Sequence, residues 1–166
     1  FSPTGGTKKV ADIIADRFRW ESSLIDLTDR FLDFKAFTFG EEDVCIVAVP
    51  SYGGRIPDIV AERLKQMKGN KAKAVPVTVY GNRAYDDTML ELNDVLIEAG
   101  FCPVAAIAAV AEHSIMHQFA AGRPDEEDRR ELVDFTDKIK RGIQNGSLRD
   151  TPAVPGNRPY RSFSGV

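Results

Sequence analysis

The stretch DVCIVAVPSYGG, beginning at Asp43, constrains this chain more than any other. From Val44 to Val49 it is apolar without interruption and rich in β-branched residues. A strand with one wet face alternates apolar and polar residues, whereas a strand covered on both faces does not. The run therefore predicts a strand of a parallel sheet lying between two layers of helix. Pro50 ends it, and Gly53 and Gly54 loosen the turn that follows. IPDIVAERLKQMKG then predicts a helix. Pro57 suits its first turn, Val60, Leu64 and Met67 share one face, and Gly69 falls just past its end.

The same strand-then-helix pattern recurs. Ala74–Tyr80 reads as a second strand, weakened by Pro76. YDDTMLELNDVLIEAG reads as a helix opened by Asp86 and Asp87 and closed by Gly100. Pro103–Ala111 reads as a third buried strand, with an alanine-rich helix as the alternative. A last helix starts near Glu126, with acids in its first turn and Lys138, Lys140 and Arg141 late, as the helix dipole favours. Its apolar face is Leu132, Phe135, Ile139 and Ile143. Ahead of all these, Val10, Ile13, Ile14 and Phe18 mark a helix over 7–18, and Ser23–Asp29 alternates like a short strand. Phe34, Phe37 and Phe39 lie in a loop or a short edge strand. Alternation of strand and helix implies βαβ crossovers, a parallel sheet and helices on both faces.

Chain length and charge bound the function. One domain of 166 residues holds a full core, and a net charge of −3 argues against binding nucleic acid. Cys45 and Cys102 sit in apolar runs and read as small buried hydrophobes, which fits a cytoplasmic protein. No apolar run reaches the ~18 residues of a spanning helix. Residues 1–146 form the expected domain, and 147–166, rich in Pro, Gly and Ser, the expected tail or linker.

In open parallel sheets, ligands bind beyond the carboxyl ends of the strands. Four segments belong there: FSPTGGT, PSYGGRIP, YGNRAYDD and AEHSIMHQFAAGRPD. The first suits an anion. Gly5 and Gly6 permit close backbone approach, Ser2, Thr4 and Thr7 offer hydroxyls, and the first amides of the next helix have no partner within it. Lys8 and Lys9 stand where cations oppose the helix dipole, which a bound dianion would reverse. The second and third segments supply Pro50, Ser51, Tyr52, Gly53 and Gly54, then Tyr80, Gly81, Asn82, Arg83, Tyr85 and Asp86. Tyrosines beside glycines suit a flat aromatic ligand. His113 ends the last strand and can donate a proton or a hydrogen bond. His117 and Glu112 lie close to it, but two histidines and one acid lack a further ligand, so no metal is expected.

SPTGGTKK matches neither the triphosphate loop nor the dinucleotide loop. It resembles the hydroxyl-rich FMN-phosphate loop of flavodoxins, with Ser2, Thr4, Gly5 and Thr7 on that pattern. Together with VPSYGGRIP, VYGNRAYDD and AEHSI…AAGRPDEED, it is similar to the flavodoxin half of bacterial flavodoxin–ferredoxin fusion proteins. The resemblance implies a three-layer α-β-α sandwich with strand order 2-1-3-4-5. It also implies FMN, cytoplasmic electron transfer, and a redox partner such as a ferredoxin or ferredoxin-like domain. Phosphate would sit on Ser2, Thr4, Gly5, Gly6 and Thr7, and the ring between the Tyr52–Arg55 and Gly81–Tyr85 loops. A Gly53 or Gly54 peptide would turn to accept a hydrogen bond from the reduced flavin. Arg55 and Arg83 either adjust charge near the ring, dock a partner or are simply structural.

Two departures accompany the resemblance. The cysteine runs that hold iron–sulfur clusters are absent. Phe1 also falls at the end of the family's first, central strand. Upstream residues are expected to supply that strand, unless Phe34–Phe39 replaces it. Other readings are an FMN-dependent NAD(P)H:quinone-type reductase and a flavin-free regulatory module. The second of these as a phospho-receiver needs an Asp where this chain has VAVPSYGG.

Overall fold

A computed structural model describes residues 1–162. Helix α1 spans Gly6–Phe18, strand β1 Val44–Pro50, α2 Asp58–Gln66, β2 Lys73–Tyr80 and α3 Thr88–Glu98. Two short strands, β3 (Cys102–Pro103) and β4 (Ile107–Val110), precede α4 (Glu126–Gln144). All strand pairs are parallel: β2 is central, β1 lies on one edge, and β3 and β4 lie in tandem on the other.

The two faces of the sheet are covered by different helices. Val47 and Val49 of β1 join Val60 and Leu64 of α2 and Leu92 and Leu96 of α3. Ala48, Val75, Val77 and Val79 join Val10 and Ile14 of α1 and Leu132 and Ile139 of α4. Neighbouring residues of β1 therefore enter opposite cores, which is why the run carries no polar alternation. Full burial of a side chain such as Ile14 or Leu92 contributes about 1.5–3 kcal/mol. Phe135, expected on the apolar face of α4, is instead 45% exposed, and Thr136 turns inward there. The start of α4 is set locally: Asp125 accepts the Glu127 and Asp128 amides, and Asp128 returns a bond to the Asp125 amide.

The expected third strand forms, but in two pieces, and Pro76 accounts for the break. The β2–β3 register pairs Ala74 with Pro103, while the β2–β4 register pairs Val77 with Ile107. The edge strand thus gains one residue between the two pairings. That gain falls opposite Pro76, whose nitrogen has no hydrogen to donate. A bulge there costs fewer ladder bonds than it would anywhere else on this strand.

Ser23–Asp29 does not form the expected strand. Asp26 accepts the Thr28 amide at 2.8 Å and its hydroxyl at 2.7 Å, and Asp29 accepts the Phe31 amide at 2.8 Å. These local bonds hold the segment in turns rather than ladders. Leu27 still enters the core. Nor does Phe34–Phe39 replace a strand beside β1. Residues Phe34–Ala36 form a 3-10 turn, and Phe39 pairs with Lys68 after α2. Among the described residues, the outer edge of β1 receives only the Phe1 nitrogen, 3.0 Å from the Ala48 carbonyl. No described helix is long and apolar enough to cross a membrane.

Candidate functional site

All four expected segments lie at the carboxyl ends of the strands, and they touch in a chain. A Cβ on Gly6, in the segment leading into α1, would lie 3.6 Å from Ala111 Cβ, in the segment after β4. That same segment places His113 against Gly81, where an added Cβ would meet the ring at 2.6 Å. The segment after β2 meets the turn after β1 where Asp87 N donates to Gly54 O at 3.0 Å. A shallow recess of about 560 Å³ exists elsewhere, near Lys71, Lys73 and Cys102. It lies at the amino ends of the strands, where open parallel sheets do not place their ligands.

The segment before α1 is sparsely bonded. Gly5 stands at the helix N-cap with φ +87° and no side-chain cap. Ser2 Oγ accepts the Lys8 amide at 2.9 Å, and the Lys9 amide donates to Gly5 O at 3.0 Å. Among the described residues the Gly6 and Thr7 amides donate to nothing. Thr4 is exposed and Thr7 is buried. Two unfilled amides, nearby hydroxyls and a helix N-terminus make a cradle whose chemistry suits an anion. Lys8 does not complete it, because its Nζ pairs with Asp12 at 2.7 Å.

The turn after β1 is tightly bonded. The Tyr52 amide donates to Arg55 O at 2.9 Å and the Arg55 amide to Tyr52 O at 3.1 Å. Gly53 and Gly54 both have positive φ, as a type I′ turn demands. Gly54 has no room for a side chain: a Cβ would meet Asp86 Oδ2 at 2.5 Å and Arg161 Cδ at 2.7 Å. Gly53, by contrast, is open, with nothing within 4 Å of an added Cβ. Tyr52 is partly buried, which raises the pKa of its hydroxyl. Ser51 Oγ lies 2.7 Å from Thr88 Oγ1, tying this turn to the start of α3.

In the segment after β2, the rings of Tyr80 and Tyr85 meet edge to face, with centroids 5.0 Å apart. Asn82 and Asp86 have positive φ, and Asn82 and Arg83 point into solvent. His113 Nδ1 accepts the Ile115 and Met116 amides at 3.2 and 3.1 Å. That assigns the proton of the neutral ring to Nε2. His113 and His117 do not share a helical face, since the segment is a succession of turns. His117 instead pairs with Glu112 at 2.7 Å. The Glu112 carboxyl titrates below its usual range, chiefly through the Gly122 amide and then through His117. Among the described residues no cluster of three or more metal-ligating side chains forms.

Arg55 is bonded onto α3. It makes a two-pronged pair with Glu91 of α3 at 2.7 and 2.6 Å, and Glu91 also accepts the Ile56 amide. Sequence reasoning did not single out Glu91 or Thr88, and it read Asp87 only as a helix start. The available signal was an acid, Glu91, set among Met89, Leu90 and Leu92 in an apolar run; the structure leaves it only 7% exposed. The tail was likewise unassigned to the site, yet residues 156–161 lie along α3 beside both turns.

No protein-family model and no curated protein matches this chain. Solved structures do. A flavodoxin of Streptococcus pneumoniae TIGR4 superposes with a TM-score of 0.52 at 24% identity, covering 83% of this chain and 92% of its own. The two-electron reduced flavodoxin of Megasphaera elsdenii gives 0.51 at 18% identity, covering 83% and 95%. These likenesses show the fold, which is flavodoxin-like.

Proposed function

We propose that this chain binds FMN and carries electrons between redox proteins, with a ferredoxin or ferredoxin-like domain as the expected partner class. The observation that carries this reading is the pair of unfilled amides at Gly6 and Thr7, on the same rim as two tyrosine-bearing turns. The residues present fit the group. The amides and the Ser2, Thr4 and Thr7 hydroxyls would hold the phosphate as hydrogen-bond donors. Tyr52 would cover one side of the ring and the Tyr80–Tyr85 pair another.

FMN supplies the one-electron chemistry when bound. The chain's own task is to bind and to tune. Gly53 is the residue best able to reorient its peptide, because nothing crowds it while Gly54 is packed and its carbonyl is already engaged. His113 can donate from Nε2 toward the rim without breaking its Nδ1 contacts. Arg55 acts through Glu91 on the turn's shape rather than on the ring.

The test compares FMN with riboflavin, which differ by the phosphate alone. The double substitution Thr4→Val and Thr7→Val is expected to weaken FMN about tenfold or more, with riboflavin nearly unchanged. Flavin fluorescence quenching reads both. Equal losses would remove the phosphate assignment, and no binding of FMN by the unaltered chain would remove the whole reading.

A further inference from the structure

The tail makes contacts that a passive linker does not need. Its Gly156 lies so close to α3 that a Cβ would meet Leu90 Cβ at 2.4 Å. The Asn157 amide then donates to Asp87 Oδ1 and the Arg161 amide to Asp87 Oδ2, each at 2.7 Å. Between them, Arg158 forks onto Asp94 at 2.6–3.1 Å, and the Tyr160 hydroxyl donates to the same carboxylate. Arg161 pairs with Asp86, and its carbonyl accepts from Arg55 Nη1 at 2.9 Å. The Arg55 guanidinium also lies 4.9 Å from the centre of the Tyr160 ring.

These bonds converge on both turns of the site. Arg55 belongs to the turn after β1, and Asp86 and Asp87 to the segment after β2. Asp87 links all three partners: its amide holds Gly54 and its carboxylate holds two amides of the tail. It is 3% exposed, so those acceptors have no ready replacement in water. The tail amides lower the pKa of this carboxyl, Arg161 first and Asn157 next. Asp87 occupies the N-cap of α3, yet its side chain caps nothing in that helix. Its preferred local use has been given over to the tail.

We infer that residues 156–161 form a strap that fixes the 52–55 and 81–87 turns relative to each other, acting through Asp87 as a positioning residue. This rests on the flavin reading above for its consequence: the strap sets how firmly the ring, and not the phosphate, is held.

The experiment uses the full chain. Hydrogen exchange of residues 52–55 and 81–87 is measured without flavin, and FMN and riboflavin affinities are measured alongside. Asp87→Ala is expected to speed exchange in both turns and to weaken FMN and riboflavin by the same factor, about tenfold. Asp87→Asn keeps one acceptor and should restore part of that loss, which a general loss of fold would not allow. Asp94→Ala leaves the core untouched and is expected to give about threefold effects in the same direction. Unchanged exchange in Asp94→Ala and Asp87→Asn overturns the strap, as does a loss confined to FMN. If the unaltered chain binds no flavin, the proposed function fails, and the exchange measurement alone decides the strap.

Discussion

The segment before α1 and the turns beside α3 share one rim but are built in opposite ways. Before α1, two amides are unfilled, Gly5 has open space around it, and Lys8 looks away toward Asp12. Beside α3, Gly54 is packed on two sides, Arg55 is locked to Glu91, and Asp87 makes bonds in three directions. An open cradle leaves hydrogen bonds for a ligand to supply. A bonded frame has its geometry set before any ligand arrives, which lowers the ordering cost of binding. On the proposed reading, the rim divides its work between a part that binding would complete and a part that is complete beforehand.

The contrast makes ordered predictions. The largest effect belongs to the Arg55–Glu91 pair, whose side chains are 20% and 9% exposed. Glu91→Gln leaves a guanidinium half-paired in a dry setting and is expected to lower stability by about 3 kcal/mol in urea unfolding. A loss below about 1 kcal/mol would mean that the frame is not held there. Next comes one substitution made on both sides of the rim. Gly54→Ala carries the cost of positive φ and a collision, together about 2 kcal/mol, whereas Gly5→Ala carries the φ cost alone, about 1 kcal/mol. Equal losses would erase the distinction between packed and open. Smallest is Lys8→Gln. Its ion pair is about half exposed on both partners, so the expected loss is under about 0.5 kcal/mol and vanishes near 1 M salt. A larger, salt-resistant loss would show that the cradle side is braced as well.

Much of this arrangement could be read from particular residues. The unbroken run of β1 and the acidic first turn of α4 are local signals, and both elements form where they were expected. The glycine-bearing turns after β1 and β2 could be placed because each follows a buried strand. Ser23–Asp29 misled because Leu24, Ile25 and Leu27 look alternating, while Asp26 and Asp29 spend their carboxylates on turns. A strand needs a neighbour, and its pattern alone does not supply one. The split of the edge strand was written in Pro76, a residue of a different strand, so it became visible only through the register. The strap was illegible for a similar reason. Gly156, Asn157 and Arg158 have turn-like composition, and the acids they meet lie more than sixty residues earlier.

The position of Asp87 gives the tail an unusual energetic relation to α3. When the tail is docked, the first turn of that helix lacks its side-chain cap. Were the tail withdrawn, the same carboxylate would be free to turn toward the Met89 and Leu90 amides that an N-cap aspartate ordinarily receives, a bond set that contributes about 1 kcal/mol. Docking the tail and capping the helix are competing uses of one side chain. The two states therefore differ by an exchange of partners, and undocking costs less than the tail's own hydrogen bonds suggest.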